Sequence, residues 1–195
     1  MTFTAEEFQT QIPYYLTQDQ KTGLVKALNA FPSCNYYSTL YPSDVLQGDG
    51  WASIQILRFN DGARDNIKGI LLSNSCDITP DNERVLLPKI TFAPLVLLND
   101  YIKILQSKEM AQQKIADHLD SIRAQRVTSI FYLPKGGALD DEHIALLGDL
   151  HTIPSPVFMQ EQHRAKLFTL SQVGFYMFLM KLSIHFCRFH ENLAR

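Results

Sequence analysis

Residues 48–73 read GDGWASIQILRFNDGARDNIKGILLS, and this stretch decides the fold class. Two apolar runs, Trp51–Phe59 and Ile67–Ser73, flank the turn-forming triplet Asn60-Asp61-Gly62. In the first run Ser53 and Gln55 alternate with Ile54 and Ile56, the period-two pattern of a strand with one buried face. That alternation sets Trp51 on the face of Ser53 and Gln55, opposite the isoleucines. The triplet tolerates the positive φ angles of a tight reversal, and the second run, IKGILLS, is short and apolar enough for a buried strand. The reading is a pair of antiparallel strands.

Downstream, Asn74–Glu83 is rich in turn formers and includes Pro80. Arg84–Phe92 (RVLLPKITF) is a third strand, whose Pro88 suits an edge or a bulge. Residues 97–125 hold Ile104, Leu105, Ile115, Leu119 and Ile122 at roughly helical spacing, without Gly or Pro, which predicts one inserted helix. Val127–Leu133 returns to strand, Pro134-Lys135-Gly136-Gly137 is a turn, and His143–Leu150 is a further strand or short helix. Ser171 is placed to cap a final helix reaching about Phe189. Upstream, Thr4 with Glu7 and Thr17 with Gln20 have capping-box spacing, which predicts two short helices over 4–30 separated by Pro13. The Pro-, Ser- and Tyr-rich segment 31–50 reads as a loop that packs by its tyrosines. Segregated helices around several short strands make an α+β protein with a small antiparallel sheet or barrel. The whole of 1–195 reads as one domain, with a helix-and-loop extension over 1–45 and the barrel with its helical insertion over 46–195.

The composition supports that size of core. Of 195 residues, 46% are hydrophobic and 11% aromatic, which excludes a disordered chain. Eighteen Lys and Arg against twenty Asp and Glu leave a net charge of −2, so no strongly basic nucleic-acid surface is written into the overall balance. Three cysteines, at 34, 76 and 187, fit neither a disulfide framework nor a zinc site, and a reducing cytoplasm is the expected setting. The N-terminus has acidic residues and no apolar core segment, unlike a signal peptide. The longest apolar run, Val173–Met180, is too short to cross a membrane.

The order of these segments resembles the PemK/MazF-type toxin endoribonucleases. Gly48-Asp49-Gly50-Trp51 opens a strand, a Gly-containing loop with Arg64 follows, and Lys68-Gly69-Ile70-Leu71-Leu72-Ser73-Asn74 ends the next strand in Leu-Ser. Leu87-Pro88-Lys89-Ile90-Thr91 is similar to the family's strand ending in Pro-x-Thr, and Ile144–Ile153 to its late strand. The resemblance covers roughly 48–91 and 127–189. It implies an SH3-like barrel, a homodimer, single-stranded RNA as substrate, an antitoxin-like protein partner and metal-independent cleavage with no cofactor. By position it implies a catalytic role for Thr91, and it leaves Arg64, bent inward from the loop, to stand in for the family's catalytic arginine. The chain departs from the family at the second strand, where Ile67-Lys68 replaces an Arg-Pro pair and Arg64 lies three positions earlier.

The chemistry asks for such residues. When a 2′-hydroxyl attacks the adjacent phosphate, a planar, permanently charged guanidinium stabilises the charge growing on the phosphoryl oxygens. A hydroxyl such as Thr91 positions the phosphate or relays a proton. Lys68, Arg84 and Lys89, with Ser73 and Asn74, are the expected substrate-binding residues. The alternative for Arg64 is a solvated loop charge, and for Thr91 a plain β-branched strand residue. Cys76 and Asp77, in the string Ser73-Asn74-Ser75-Cys76-Asp77, form a second candidate pair that needs a histidine, with His151 beside Asp149 as one source. The alternative there is a set of turn formers with a small apolar thiol. The six histidines show no metal-ligand spacing: His185 and His190 do not share a helix face, and Cys187 between them is wrongly placed. A second reading of the whole chain is a catalytically inactive barrel that binds protein or nucleic acid through its added segments.

Overall fold

In a computed structural model, residues 34–78 and 86–186 are described. The helices expected over 4–30, Arg84, Cys187 and the last residues of the expected C-terminal helix lie outside them. The protein is α+β. Strands β1 (Tyr37–Ser38), β2 (Gly50–Leu57), β3 (Arg64–Leu71), β4 (Lys89–Leu97), β5 (Ile130–Leu133), β6 (His143–Leu146), β7 (His151–Pro154) and β8 (Ala165–Leu170) form one curled antiparallel sheet. Its order is β1-β8-β2-β3-β4-β6-β5, with β7 also pairing to β4. Helices α1 (Ser75–Ile78), α2 (Leu98–Ser107), α3 (Gln112–Arg123), α4 (Ser155–Gln160) and α5 (Gln172–Phe186) complete the described chain. No helix among the described residues is long and apolar enough to cross a membrane.

Gly48 has φ +85°, a conformation that disfavours side chains. At Gly50 a Cβ would stand 2.2 Å from the Phe168 ring, so only glycine lets β8 approach. Between them Asp49 is fully buried, and its carboxylate accepts the Leu46 N–H at 2.8 Å and pairs with Lys166 at 2.9 Å. Burial raises the Asp49 pKa, and the Lys166 ammonium works against that rise. Lys166 also donates to the Tyr41 and Asp44 carbonyls, and so ties the segment before β2 to β8.

Trp51 does not follow simple alternation. The register shifts between Trp51 and Ile54, and Ser53 sits at φ +58°. This bulge turns Trp51 onto the face of Ile54, where both join Leu71, Ile78, Ile90, Phe92 and Phe158. Trp51 meets Phe158 edge to face, with the Arg164 guanidinium 4.9 Å from its ring centroid. The opposite face of the sheet carries a larger cluster that includes Ile70, Ala93, Phe131, Phe168 and Phe178. Tyr36 is buried in it, in keeping with a loop that packs by its tyrosines.

Three other expectations are corrected. β3 begins at Arg64 rather than Ile67, because the hairpin ladder runs on to the pair Leu57↔Arg64. Arg64 is therefore a strand residue, not a loop residue. The strand expected over 84–92 begins at Lys89 and runs to Leu97. The single inserted helix is two, α2 and α3, separated at 108–111, with Glu109 at φ +57°. A continuous helix over 97–125 would be about 43 Å long at 1.5 Å per residue. The break folds it back instead, so that Leu98 and Ile122 both pack on Ile130, Tyr132 and Ile144. Ser171 caps α5 as expected, its hydroxyl accepting the Gly174 N–H at 3.1 Å.

Candidate functional site

The path to the site runs along β4. One edge of this strand pairs with β3; the other pairs first with β7, over Lys89–Phe92, and then with β6, over Leu95–Leu97. β2 pairs with β3 along its length, and with β8 only at Gly50–Ala52. The far half of β2 and the outer edge of β7 thus lack a second strand neighbour, and between them opens a groove of about 520 Å³.

Gln55, Leu57, Phe59 and Arg64 come to this groove from the β2–β3 hairpin. Leu150, His151, Thr152 and Val157 come from the segment through β7 into α4. The hairpin end is shaped by Asp61, whose carboxylate accepts the Ala63 N–H and pairs with Arg58 at 2.9 Å; Arg58 also reaches Asp65 at 3.2 Å. Arg64 is exposed and has no ion-pair partner among the described residues. No carboxylate is among the groove's lining residues, so its fixed charge is the guanidinium of Arg64. Its rim is apolar: Phe59 is 95% exposed and Leu57 51%, with Leu150 and Val157 near 40%. Exposed apolar side chains gathered around one concavity mark an interaction site more than scattered ones do.

Thr91 reaches the groove through a neighbour. It faces Thr152 across the β4–β7 pair, with the two hydroxyl oxygens 3.3 Å apart, and Thr152 lines the groove. Ser73 closes the other side of Thr91: its hydroxyl accepts the Thr91 N–H at 2.8 Å and donates to the Lys89 carbonyl at 3.3 Å. Ser73, Lys89, Thr91 and Thr152 therefore form one connected patch. Asn74 has a local task, its side-chain carbonyl accepting the Cys76 N–H at the start of α1. Cys76 and Asp77 are exposed on that short helix, while the ring nitrogen of His151 faces Asp149. Lys68 is exposed on β3 and contributes, after burial, to the lowered pKa of His143 on β6; it does not line the groove.

Thr152, Phe59 and Leu57 escaped sequence reasoning. Thr152 becomes visible only through the β4–β7 register, and the two apolar residues only through their exposure at the end of the hairpin. A second polar cluster was also hidden. Arg123 makes a two-pronged pair with Glu142 at 2.8 Å, Tyr132 donates to the same carboxylate, and Gln125 bonds both backbone groups of Tyr132. The Arg123 guanidinium holds the Glu142 carboxyl below its ordinary pKa. This cluster fastens α3 to β5 and β6. A comparison with protein-family models gave no match, and neither did one with curated protein sequences.

Proposed function

We propose that the groove between β2 and β7 binds single-stranded RNA and cleaves it without a metal, in the manner of a PemK/MazF-like toxin endoribonuclease. This reading takes the curled sheet as an SH3-like barrel, and it carries with it a cytoplasmic homodimer and an antitoxin-like protein partner. The observation that supports it is the meeting of an unpaired Arg64 and the Thr152–Thr91 hydroxyl pair at one concave surface. Arg64 offers a planar fork to two phosphate oxygens and stabilises the charge that develops on them. The threonine hydroxyls orient the phosphate, Lys89 adds a charge beside them, and Phe59 and Leu57 give the flanking bases an apolar wall.

The test is cleavage of a mixed single-stranded RNA pool in chelator-treated buffer. Arg64→Ala is expected to lower the rate about 100-fold or more, the usual effect of removing a group that stabilises transition-state charge. Thr91→Ala is expected to lower it about tenfold. The exposed apolar rim favours a second reading, a binding module without catalysis. Clean wild-type protein that binds RNA or a protein partner and leaves RNA intact decides for that one.

A further inference from the structure

β6 and β7 are one strand interrupted. Both run antiparallel to the same edge of β4, yet three steps along β4, from Leu95 to Phe92, answer to six along the partner, from Ala145 to His151. Three surplus residues are looped out, over 148–150. The reason lies in β4. Leu72 N–H bonds to the Thr91 carbonyl, which fixes Thr91 toward β3. Alternation then turns Pro94, three residues on, toward the β6–β7 edge, where it has no N–H to give. The ladder breaks there: the Leu146 carbonyl, next on the side of β6 that faces β4, accepts the Asp149 N–H instead, while the Leu147 N–H continues the β5–β6 ladder to the Ser129 carbonyl.

The loop returns Asp149 over the first residue of β7. Its carboxylate lies 3.4 Å from His151 Nε2. The other side of the imidazole stacks on the fully buried Phe92, with centroids 5.7 Å apart and planes 23° from parallel. A ring held between a carboxylate and a buried phenyl has a set orientation. The His151 side chain is a quarter exposed, lines the groove with Arg64, and carries no hydrogen bond on Nδ1 among the described residues. Bulges are enriched next to active sites because they re-aim a side chain in this way.

We infer that His151 is the proton-transfer group of the groove and that Asp149 is its positioning residue. The inference rests on the RNA-cleavage reading. In the step, His151 Nδ1 takes the proton of the 2′-hydroxyl, and the 2′-oxygen forms a bond to phosphorus. The bond from phosphorus to the 5′-oxygen breaks, and that oxygen leaves with a proton from water. His151 then returns its proton to solvent, so one P–O bond is exchanged for another with no net change in protons or electrons. Arg64 holds the phosphoryl oxygens, and Asp149 offsets the positive charge developing on the ring, as the third member of a nucleophile–base–orienter set does. The charged group in contact with His151 is Asp149 on its own segment, and the charged residue that lines the groove with it is Arg64 on β3. β4 presents Phe92 and α4 presents Val157, neither of which titrates.

The experiment measures the cleavage rate of a short single-stranded RNA against pH in chelator-treated buffer, and the affinity for its 2′-deoxy analogue. His151→Gln is expected to lose about 100-fold or more in rate, the lower end for a positioned acid–base group, and the ascending limb of the pH profile. Its affinity for the 2′-deoxy strand stays within about threefold of wild type, whereas Arg64→Ala weakens that affinity. Added imidazole restores part of the rate of His151→Ala. Asp149→Asn loses about tenfold and displaces the limb. A His151→Gln rate within about threefold of wild type, with Arg64→Ala inactive, overturns the inference and leaves the RNA-cleavage reading standing. A wild-type rate that stays flat across the pH range in which imidazole side chains titrate overturns it without any variant. No cleavage by wild-type protein overturns both.

Discussion

Replacing Lys181 by methionine should reverse the sign of its effect on stability between about pH 7 and about pH 9.5. Lys181 stands in the buried stripe of α5 with Gly174, Met177 and Phe178, and is 5% exposed. Its ammonium donates to the Gln125 carbonyl at 2.6 Å and has no acidic partner among the described residues. Burial lowers its pKa from 10.5 to about 8. Between those values the unfolded chain binds more protons than the folded one, so wild-type stability rises with pH. The penalty is fully present below the folded pKa and vanishes above the unfolded one. A shift of about 2.5 units corresponds to about 3.4 kcal/mol at about 1.36 kcal/mol per unit. Of that, about 2 kcal/mol is recovered between about pH 7 and about pH 9.5. Methionine removes the penalty but leaves the Gln125 carbonyl without its donor, a loss of about 1–3 kcal/mol. Lys181→Met is therefore expected to be more stable than wild type by about 1 kcal/mol near pH 7 and less stable by a similar amount near pH 9.5. Urea unfolding followed by the fluorescence of the single tryptophan, Trp51, measures both curves, and their difference cancels the other groups that titrate in the window. A difference that changes by less than about 0.5 kcal/mol across the window refutes a buried, uncompensated ammonium.

The Asp49–Lys166 pair should behave in the opposite sense. Lys166→Met leaves the fully buried Asp49 without its counter-charge and is expected to destabilise by about 3–5 kcal/mol, read in the same urea titration. Gly50→Ala should lose about 1–3 kcal/mol of stability, because its Cβ would overlap the Phe168 ring and push β8 off β2. Glu142→Gln should cost no more than about 1 kcal/mol at neutral pH, since the Arg123–Glu142 pair is more than a third exposed. The lowered pKa of Glu142 makes that contribution full above the ordinary value of 4.5 and lost as pH falls through the folded value, so acid titration of the two proteins should converge there.

What the sequence made legible was local. The Asn60-Asp61-Gly62 reversal and the Ser171 cap are each decided within a few residues by backbone freedom or a capping hydroxyl, and each appears where it was expected. The illegible features depend on neighbours far along the chain. The bulge at Ser53 exists because Trp51 must reach Phe158, about a hundred residues on. The break at Glu109 exists because Leu98 and Ile122 share one patch of β5 and β6. Lys181 directly follows the apolar run Val173–Met180, and it completes the buried stripe of α5. Among the site residues, Thr91 was expected from its place in the resemblance and Arg64 as a stand-in for the missing arginine. Thr152, which links Thr91 to the groove, needed the β4–β7 register.

That register also separates two roles for the looped-out segment, as a support of the sheet or as a carrier of Asp149. Deleting Gly148, Asp149 and Leu150 removes three residues, the number by which β6–β7 exceeds β4. The shortened strand keeps His151 opposite Phe92 and Thr152 opposite Thr91, so no side chain changes face. Little packing is lost: Leu150 is 38% exposed, the Asp149 side chain 60%, and nothing stands near Gly148 where a side chain would go. Stability should fall by no more than about 1–2 kcal/mol, since Pro94 offers no ladder bond for the closed strand to regain. If the segment serves to bring Asp149 to His151, the deletion variant keeps the Arg64-dependent part of its affinity for the 2′-deoxy strand, losing at most the contact of Leu150 at the groove's rim, and cleaves RNA no better than Asp149→Asn. A variant that unfolds shows instead that the loop supports the sheet. A folded variant with undiminished cleavage removes Asp149 from the mechanism while leaving Arg64 and His151 in place.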